Sequence, residues 1–322
     1  MNAKKILAIT ATALAVSTAA FAADETVTIR TLNSSRTMSD VQVKKSPQRL
    51  AMLDLATLDI IDALGLGDLV VGVPGTRLDY LQKYMDTAKI PNLGTIKNPN
   101  LEKIMEVEPD VIFAGLRLFR NYDSLNEIAP TVILINDTSI GLIESMKSNI
   151  NQIASLFDMG DKADEFMSKF DERIAAIREI SKGKTAIVAL VTSGGFNILG
   201  KDGRCSMISN EAGFTNIGLE GVQKKGDKSK VTTSTHGNEA SFEFVLSKNP
   251  DYIFVMDRDA AIGAQGEKLA KEIVENELIM KTDAYKNGHI VYLAHPAVWY
   301  TAEGGITALD IMLKDLEVAL EK

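Results

Sequence analysis

Short runs of aliphatic and β-branched residues recur along this chain, and helix-length segments separate them. This alternation limits the possible folds more than any other feature. The runs are LAMLD (50–54), LVVGVP (69–74), DVIFAG (110–115), TVILIN (131–136), TAIVALV (185–191), DYIFVMD (251–257) and HIVYLA (289–294). Segments such as ATLDIIDALGLG and SLNEIAP lie between them. Strands that alternate with helices predict parallel sheets of the α/β class.

A long helical pattern lies between the fourth and fifth runs. Phe166, Phe170, Ile174 and Ile177 recur at spacings of four, four and three, which places them on one face of a helix. Gly183 supplies a stop signal after this stripe. We therefore predict an N-terminal α/β lobe at 23–158, a connecting helix at 159–183 and a C-terminal α/β lobe at 184–322. A chain of this length usually divides into two domains.

The first 22 residues have the three parts of a secretory signal peptide. Two lysines at positions 4 and 5 precede an apolar run over 6–20, and Ala-Phe-Ala at 20–22 is a small-x-small cleavage site. The apolar run is too short to span a bilayer, which argues against a transmembrane anchor. Lipid anchoring would need a cysteine at the cleavage point, whereas the chain's one cysteine is Cys205. We expect a soluble periplasmic protein.

The charge of the chain excludes some classes of partner. The formal net charge is −8, and removing residues 1–22 takes away two lysines and no acidic residue, leaving about −10. Such a balance argues against nucleic acid or an anionic membrane surface as a partner. A single cysteine forms no internal disulfide, so stability must come from a packed core.

One sequence unit occurs once in each predicted lobe. Residues 101–113 read LEKIMEVEPDVIF and residues 242–254 read FEFVLSKNPDYIF. In each, a glutamate (Glu102 or Glu243) precedes Pro-Asp and then a strand. The structural interpretation places each glutamate in the first turn of a helix, where the dipole favours negative charge. The functional interpretation is a pair of exposed carboxylates, one on each lobe, for a two-fold symmetric partner that carries arginines.

The paired units, GTIKNPNLEKI, STHGNEASFEFVLSKNPDYIFVMDRD and a late VWYTA together resemble a known family over nearly the whole mature chain. The chain is similar to the periplasmic siderophore-binding proteins of iron ABC importers, and within them to catecholate binders related to the enterochelin uptake protein CeuE. The resemblance implies two Rossmann-like lobes joined by one rigid helix, with a ferric catecholate in the cleft. It also implies a monomer, no permanently bound cofactor, and docking of the inner-membrane ABC permease through Glu102 and Glu243.

The resemblance points to three arginines as ligand-binding residues. Arg117 follows the strand DVIFAGL, Arg204 lies in LGKDGR, and Arg258 ends the strand FVMDR. Strand ends are where ligands bind in open α/β sheets. A guanidinium suits a catecholate because it donates several hydrogen bonds and stays charged. Arg120 lies three positions after Arg117, and the sequence leaves open which of the two faces the cleft.

For the iron itself, the resemblance points to His236 and Tyr300. Fe(III) prefers anionic oxygen ligands and then imidazole nitrogen. A bis-catecholate leaves two iron positions open, and these two side chains would fill them. His295 precedes Pro296 where the relatives carry an acidic residue, and it has two interpretations, a turn residue, which we favour, or an additional ligand. Trp299 has two interpretations, a core residue or a wall of the cleft beside the ligand.

Other classes fit the sequence less well. A site for free zinc or manganese would need three or four clustered ligands, and the three histidines are scattered. An α/β enzyme is disfavoured because there is no GxSxG, Walker, HExxH or cysteine-cluster motif. The nearer alternative is another chelate on the same fold, such as haem, cobalamin or a hydroxamate siderophore.

Overall fold

The computed structural model describes residues 25–137, 139–200, 204–218, 238–264 and 269–321. The strands are β1 (Thr26–Leu32), β2 (Met38–Lys44), β3 (Leu50–Leu53), β4 (Val70–Gly72), β5 (Val111–Ala114), β6 (Thr131–Ile133), β7 (Thr185–Thr192), β8 (Gly195–Ile198), β9 (Thr215–Asn216), β10 (Asn238–Glu239), β11 (Tyr252–Asp257) and β12 (Ile290–Tyr292). The α-helices are α1 (Leu55–Ala63), α2 (Leu101–Glu106), α3 (Tyr122–Asn126), α4 (Leu142–Ser155), α5 (Gly160–Ser181), α6 (Met207–Asn210), α7 (Phe242–Lys248), α8 (Arg258–Ile262), α9 (Ala270–Val274), α10 (Asp283–Lys286), α11 (Pro296–Thr301) and α12 (Ile306–Leu320).

The N-terminal lobe is built on a parallel sheet with the strand order β4-β3-β5-β6. Strands β3, β5 and β6 are buried along their whole length, as expected when helices cover both faces of a sheet. An antiparallel hairpin of β1 and β2 precedes this sheet. The hydroxyl of Thr31 accepts a hydrogen bond from the backbone N–H of Ile133 at 2.8 Å, which ties the hairpin to β6.

The C-terminal lobe is built on a mixed sheet with the order β10-β8-β7-β11-β12, and β9 pairs with the start of β7. Strands β7, β11 and β12 run parallel, whereas β8 pairs antiparallel with both β7 and β10. The two-lobe α/β prediction is therefore confirmed by the architecture. All seven predicted runs contain strands, but the β1–β2 hairpin and β8, β9 and β10 were not predicted.

Helix α5 lies between the two sheets in the chain and corresponds to the predicted connecting helix. Phe170, Ile174 and Ile177 of the predicted stripe are buried. At the edge of this stripe, Arg173 donates hydrogen bonds from Nε and Nη2 to the carboxylate of Glu317 on α12, at 2.7 and 3.0 Å. The helix is thus fixed to the C-terminal helix by a bidentate, charge-assisted contact.

Each lobe also supplies a carboxylate that caps a helix of the other lobe. Asp59 on α1 accepts the backbone N–H groups of Thr307 and Ala308 at the start of α12, both at 2.8 Å. Glu211 accepts the N–H of Leu142 at the start of α4 at 2.6 Å. Negative charge at a helix N-terminus is stabilising. These reciprocal caps hold the two lobes in one arrangement without a disulfide.

Gly305 makes room for the cap on α12. A Cβ at this position would lie 2.2 Å from Oδ2 of Asp59, so any larger residue would displace the carboxylate. Burial raises the pKa of Asp59 to about 6, against the opposing effect of the hydrogen bonds from Ala308 and Thr307.

Among the described residues, every helix is too short or too polar to cross a lipid bilayer.

Candidate functional site

Tyr300 is the centre of the candidate site and lies near the end of α11. This short helix begins at Pro296, whose fixed φ suits the first helical position and whose missing N–H costs nothing there. Tyr300 is 9% exposed, which leaves its ring largely enclosed and its edge accessible. Arginines from other segments surround it, and each of them comes from a loop or helix that follows a strand.

Arg258 starts α8 directly after β11, and its guanidinium is held on several sides. Its Nε donates to the hydroxyl of Tyr300 at 3.1 Å, and its Nη1 donates to Oγ1 of Thr192 at 3.1 Å. Oδ1 of Asp259 lies 3.4 Å from the same Nη1. Asp257 caps α8 by accepting the N–H of Ala260 at 2.8 Å. Arg258 is therefore fixed in position before any ligand arrives.

Arg204 stacks on the ring of Tyr300. Its Nη1 donates to the backbone carbonyl of Tyr300 at 2.6 Å, and its guanidinium carbon lies 4.1 Å from the centre of the phenol ring. This stacking is a cation–π contact. The Nε of Arg204 is buried and has no hydrogen-bond partner among the described residues. One donor of this guanidinium is thus left for a further group.

Arg117 belongs to the same cluster from the N-terminal lobe. It lies in a 3-10 turn (Leu116–Asn121) directly after β5. Burial lowers the pKa of Arg117, the nearby charge of Arg204 lowers it further, and Tyr300 and Asp54 oppose both effects. The side chain is therefore close to Arg204, Tyr300 and Asp54.

Arg120 has different surroundings from Arg117. Its guanidinium lies 5.5 Å from the centre of the Phe119 ring, and Arg36 stacks on that same ring at 4.4 Å. The sequence left open which of Arg117 and Arg120 faces the cleft. In the structure, Arg117 is the one that lies near Tyr300.

Three carboxylates lie near the three guanidinium groups of the cluster. Asp54 and Asp259 are its acidic neighbours on the two lobes. Glu303 is a third, and burial raises the pKa of its carboxyl to about 7, although Arg204 and the N–H of Cys205 act in the opposite direction. Several guanidinium groups directed at one phenol form a site for a compact anion.

Sequence reasoning missed the acidic neighbours Asp54, Asp259 and Glu303. A signal was present for the first two, because Asp54 directly follows the run LAML and Asp259 directly follows Arg258 at another strand end. No such signal marks Glu303. Its carboxylate Oε1 is buried without a hydrogen-bond partner among the described residues. Its place beside Arg204 and Cys205 depends on the tertiary packing.

Trp299 is a core residue, and the prediction of a cleft wall does not fit its position. Its side chain is 0% exposed, and its indole Nε1 donates to Oδ2 of Asp315 at 2.9 Å. Oδ1 of the same carboxylate lies 2.7 Å from Nδ1 of His295. Tyr300 and Trp299 are adjacent on α11 and therefore point in different directions, about 100° apart around the helix. Only Tyr300 faces the arginines.

His236 lies outside the described residues, so its prediction as an iron ligand rests on the sequence. Among the described residues, no group of three or more histidine, cysteine, aspartate or glutamate side chains is arranged to hold a metal ion.

Glu102 and Glu243 occupy matching places on the two lobes. Each is the second residue of a short helix, and each is exposed. Asn100 caps α2 by accepting the N–H of Lys103 at 3.1 Å, and Ser241 caps α7 by accepting the N–H of Phe244 at 3.3 Å. The caps satisfy helix N–H groups without the glutamates, whose carboxylates are left pointing to solvent.

Comparison with known proteins gives a consistent result. A family model described as periplasmic binding protein matches residues 50–297. The petrobactin-binding protein YclQ of Bacillus subtilis is 34% identical over 284 residues, which cover 87% of this chain and 85% of that protein. Its crystal structure has a TM-score of 0.81 at 32% identity and covers 92% of this chain and 99% of that chain.

A second solved structure supports the same assignment. The periplasmic catecholate-siderophore binding protein VctP of Vibrio cholerae has a TM-score of 0.79 at 28% identity. The match covers 91% of this chain and 100% of that chain. The likeness therefore extends over both lobes and the helix between them.

Proposed function

This chain belongs to the periplasmic binding protein family, and we propose that it captures ferric catecholate siderophores and delivers them to an inner-membrane ABC importer. Its relatives are substrate-binding proteins for ferric siderophores and not enzymes. YclQ binds petrobactin by name, and VctP is named for catecholate siderophores. The finer assignment to catecholates is our inference from the chemistry of the arginine cluster.

The observation that carries the proposal is the convergence of Arg117, Arg204 and Arg258 on Tyr300. They come from both lobes, and Arg117 and Arg258 follow the carboxyl ends of parallel strands, where open α/β sheets bind ligands. Ferric catecholates carry net negative charge and present several phenolate oxygens. Guanidinium forks suit these oxygens, because each donates more than one hydrogen bond and keeps its charge at any physiological pH.

Tyr300 has a second role in the proposal, as an iron ligand for chelates that supply only four donors. The Nε–H of Arg258 donates to its hydroxyl at 3.1 Å and so holds the phenol oxygen, the donor type that Fe(III) prefers, within the cluster. His236 is proposed as the partner ligand on sequence grounds. With a hexadentate tris-catecholate neither ligand is needed, and the arginines alone hold the complex.

Delivery would use Glu102 and Glu243. Their matching positions at the starts of α2 and α7 present one exposed carboxylate on each lobe. A permease with two-fold symmetry could contact both with arginine side chains. We further propose that residues 1–22 are removed on export and that the mature protein works as a monomer in the periplasm.

A titration with two classes of ferric complex tests this proposal. Visible charge-transfer absorption is followed while a ferric bis-catecholate or a ferric tris-catecholate is added to the purified protein. Tyr300→Phe should weaken binding of the bis-catecholate by about tenfold or more and binding of the tris-catecholate by less than about threefold. His236→Ala should show the same preference.

Tyr292→Phe is the matched control, because the Tyr292 hydroxyl donates to Glu275 and has no contact with the arginine cluster. It should leave both affinities unchanged. Equal losses of both complexes on Tyr300→Phe would refute direct ligation of iron by Tyr300. If wild-type protein binds neither complex, the catecholate assignment itself is wrong.

A further inference from the structure

A cavity of about 390 Å³ lies between the lobes, and the proposed mechanism does not use it. Its apolar lining comes from both lobes, with Leu55, Leu78 and Ile96 on the N-terminal side and Ala261, Ile262 and Ala297 on the C-terminal side. Arg77 is the one charged residue among those that line it.

The cavity lies next to the arginine cluster, because helices α8 and α11 contribute residues to both. On α8, Arg258 belongs to the cluster, and Ala261 and Ile262 follow it at three and four positions, on the same face of the helix. On α11, Tyr300 belongs to the cluster, and Ala297 precedes it by three positions on the same face. A ligand at Tyr300 and Arg258 would therefore reach the cavity without leaving the cleft.

The wall of the cavity exposes a large apolar side chain. Ile262 is 41% exposed, although it is a large aliphatic residue and lies where α8 faces the other lobe. A concave site lined by aliphatic side chains next to a few fixed polar groups is typical of small-molecule sites. A hydrocarbon group that covered Ile262 would make the free energy of binding more favourable.

Arg77 closes one side of the cavity from the N-terminal lobe. Its guanidinium lies against Gly263, the left-handed residue that ends α8, and a Cβ there would lie 1.3 Å from Nη1 of Arg77. Arg77 makes no hydrogen bond or ion pair recorded among the described residues, so its charge is not neutralised by a fixed partner. A cationic group that entered the cavity would meet this charge at close range.

We propose that this cavity is a subsite for an uncharged hydrocarbon arm of the bound chelate, and that Arg77 selects against arms that carry a positive charge. The inference rests on the proposed function and extends it by naming a ligand class. The ligand would be a ferric chelate with an anionic head that binds the arginine cluster. An aliphatic linker or chain would extend from the head between Leu55 and Ile262.

The test uses three ferric bis-catecholates that differ only in a side arm, which is absent, hexyl or 6-ammoniohexyl. Wild-type protein should bind the hexyl complex about tenfold tighter than the armless one. Ile262→Ser should reduce this ratio to about twofold. Val318→Ser is the matched control, because Val318 is 43% exposed, against 41% for Ile262, and does not line the cavity. It should keep the tenfold ratio.

The ammonium arm tests Arg77. Wild-type protein should bind the 6-ammoniohexyl complex about fivefold more weakly than the hexyl complex, and Arg77→Met should remove that difference. The subsite is disproved if wild-type protein binds the hexyl and armless complexes equally, or if Ile262→Ser and Val318→Ser give the same ratio. The role of Arg77 is disproved if Arg77→Met leaves the ammonium penalty intact. Failure of wild-type protein to bind even the armless complex would instead count against the proposed function.

Discussion

The two lobes carry the same helix, Pro-Asp and strand unit, and the aspartate has the same structural task in both. In the N-terminal lobe, Oδ2 of Asp110 accepts the backbone N–H groups of Gln48 and Arg49, at 2.6 and 3.0 Å, just before β3. In the C-terminal lobe, Oδ2 of Asp251 accepts the N–H and the hydroxyl of Thr185 at the start of β7, both at 2.8 Å. In each lobe the aspartate fastens the neighbouring parallel strand.

The lobes differ at the other end of the same strands. After β5 the chain forms a 3-10 turn, and Arg117 is exposed over much of its length while its guanidinium lies near Tyr300 and Asp54. After β11 the chain enters α8, and Arg258 is fixed by Tyr300, Thr192 and Asp259. The repeated unit thus builds a common scaffold, while the strand ends make an asymmetric site. The C-terminal lobe contributes Arg258, whose guanidinium is held in place, and the N-terminal lobe contributes Arg117, which is more exposed.

The largest effect is expected where the lobes are most alike, at Glu102 and Glu243. The double variant Glu102→Ala with Glu243→Ala should lower siderophore uptake by about 30-fold or more, because two charged contacts to the permease are lost together. The affinity for ferric catecholate should not change. Uptake of radioactive iron in cells and a binding titration in vitro measure the two quantities separately.

The single variants then measure the symmetry of docking. Equal losses from Glu102→Ala and Glu243→Ala would mean that the permease uses both lobes alike. Glu172→Ala, an exposed glutamate on α5, serves as the control and should leave uptake unchanged. Normal uptake by the double variant would contradict the docking proposal.

A smaller effect is expected where the lobes differ, at the two arginines. Arg258→Gln should weaken ferric catecholate binding by about 30-fold, because a fixed guanidinium loses little freedom when it binds. Arg117→Gln should weaken it by only about fivefold, because an exposed side chain must be ordered first. Titrations of both variants with the same tris-catecholate give the comparison.

Thermal melts of the empty variants exclude a loss of folded protein as the cause. Arg258→Lys sharpens the result further, since it keeps the charge and removes the fork geometry. Equal losses on Arg117→Gln and Arg258→Gln would show that prearrangement of Arg258 contributes nothing to binding.

The smallest effect is expected at the aspartates that fasten the strands. Asp251→Asn should reduce the free energy of unfolding by about 1 kcal/mol, the usual net value of such hydrogen bonds, and Asp110→Asn should do the same. The backbone hydrogen bond from Thr185, and then its hydroxyl, lower the pKa of Asp251 below its ordinary value of 3.8. Urea unfolding at several pH values measures both effects.

The sign of the pH dependence follows from the lowered pKa. A lowered pKa in the folded state means that the Asp251 contribution is fully present above pH 3.8 and is lost as the pH falls through the folded-state value. The difference between wild type and Asp251→Asn should therefore be constant from pH 5 to 8 and shrink below about pH 4. A difference that grows on acidification would contradict this account.

Much of the scaffold could be predicted because it depends on local patterns. The run TAIVALV is β7 and the stripe through Phe170 and Ile174 is the buried face of α5. The hairpin β1–β2 was missed because its strands, TVTIRTL and MSDVQVK, are not continuous aliphatic runs: they alternate polar and apolar residues, and one face stays in solvent. Its place beside β6 depends on contacts between residues far apart in the chain, such as the hydrogen bond between Thr31 and Ile133.

The sequence by itself determined the α/β class, the long helix, the repeated unit with its two glutamates, and the residue types of the cleft, because periodicity and strand ends are local properties. Only the tertiary structure decided which way side chains point. It placed Trp299 against Asp315 in the core and Tyr300 among the arginines, and it separated Arg117 from Arg120. Orientation depends on packing between residues far apart in the chain, which no local pattern encodes.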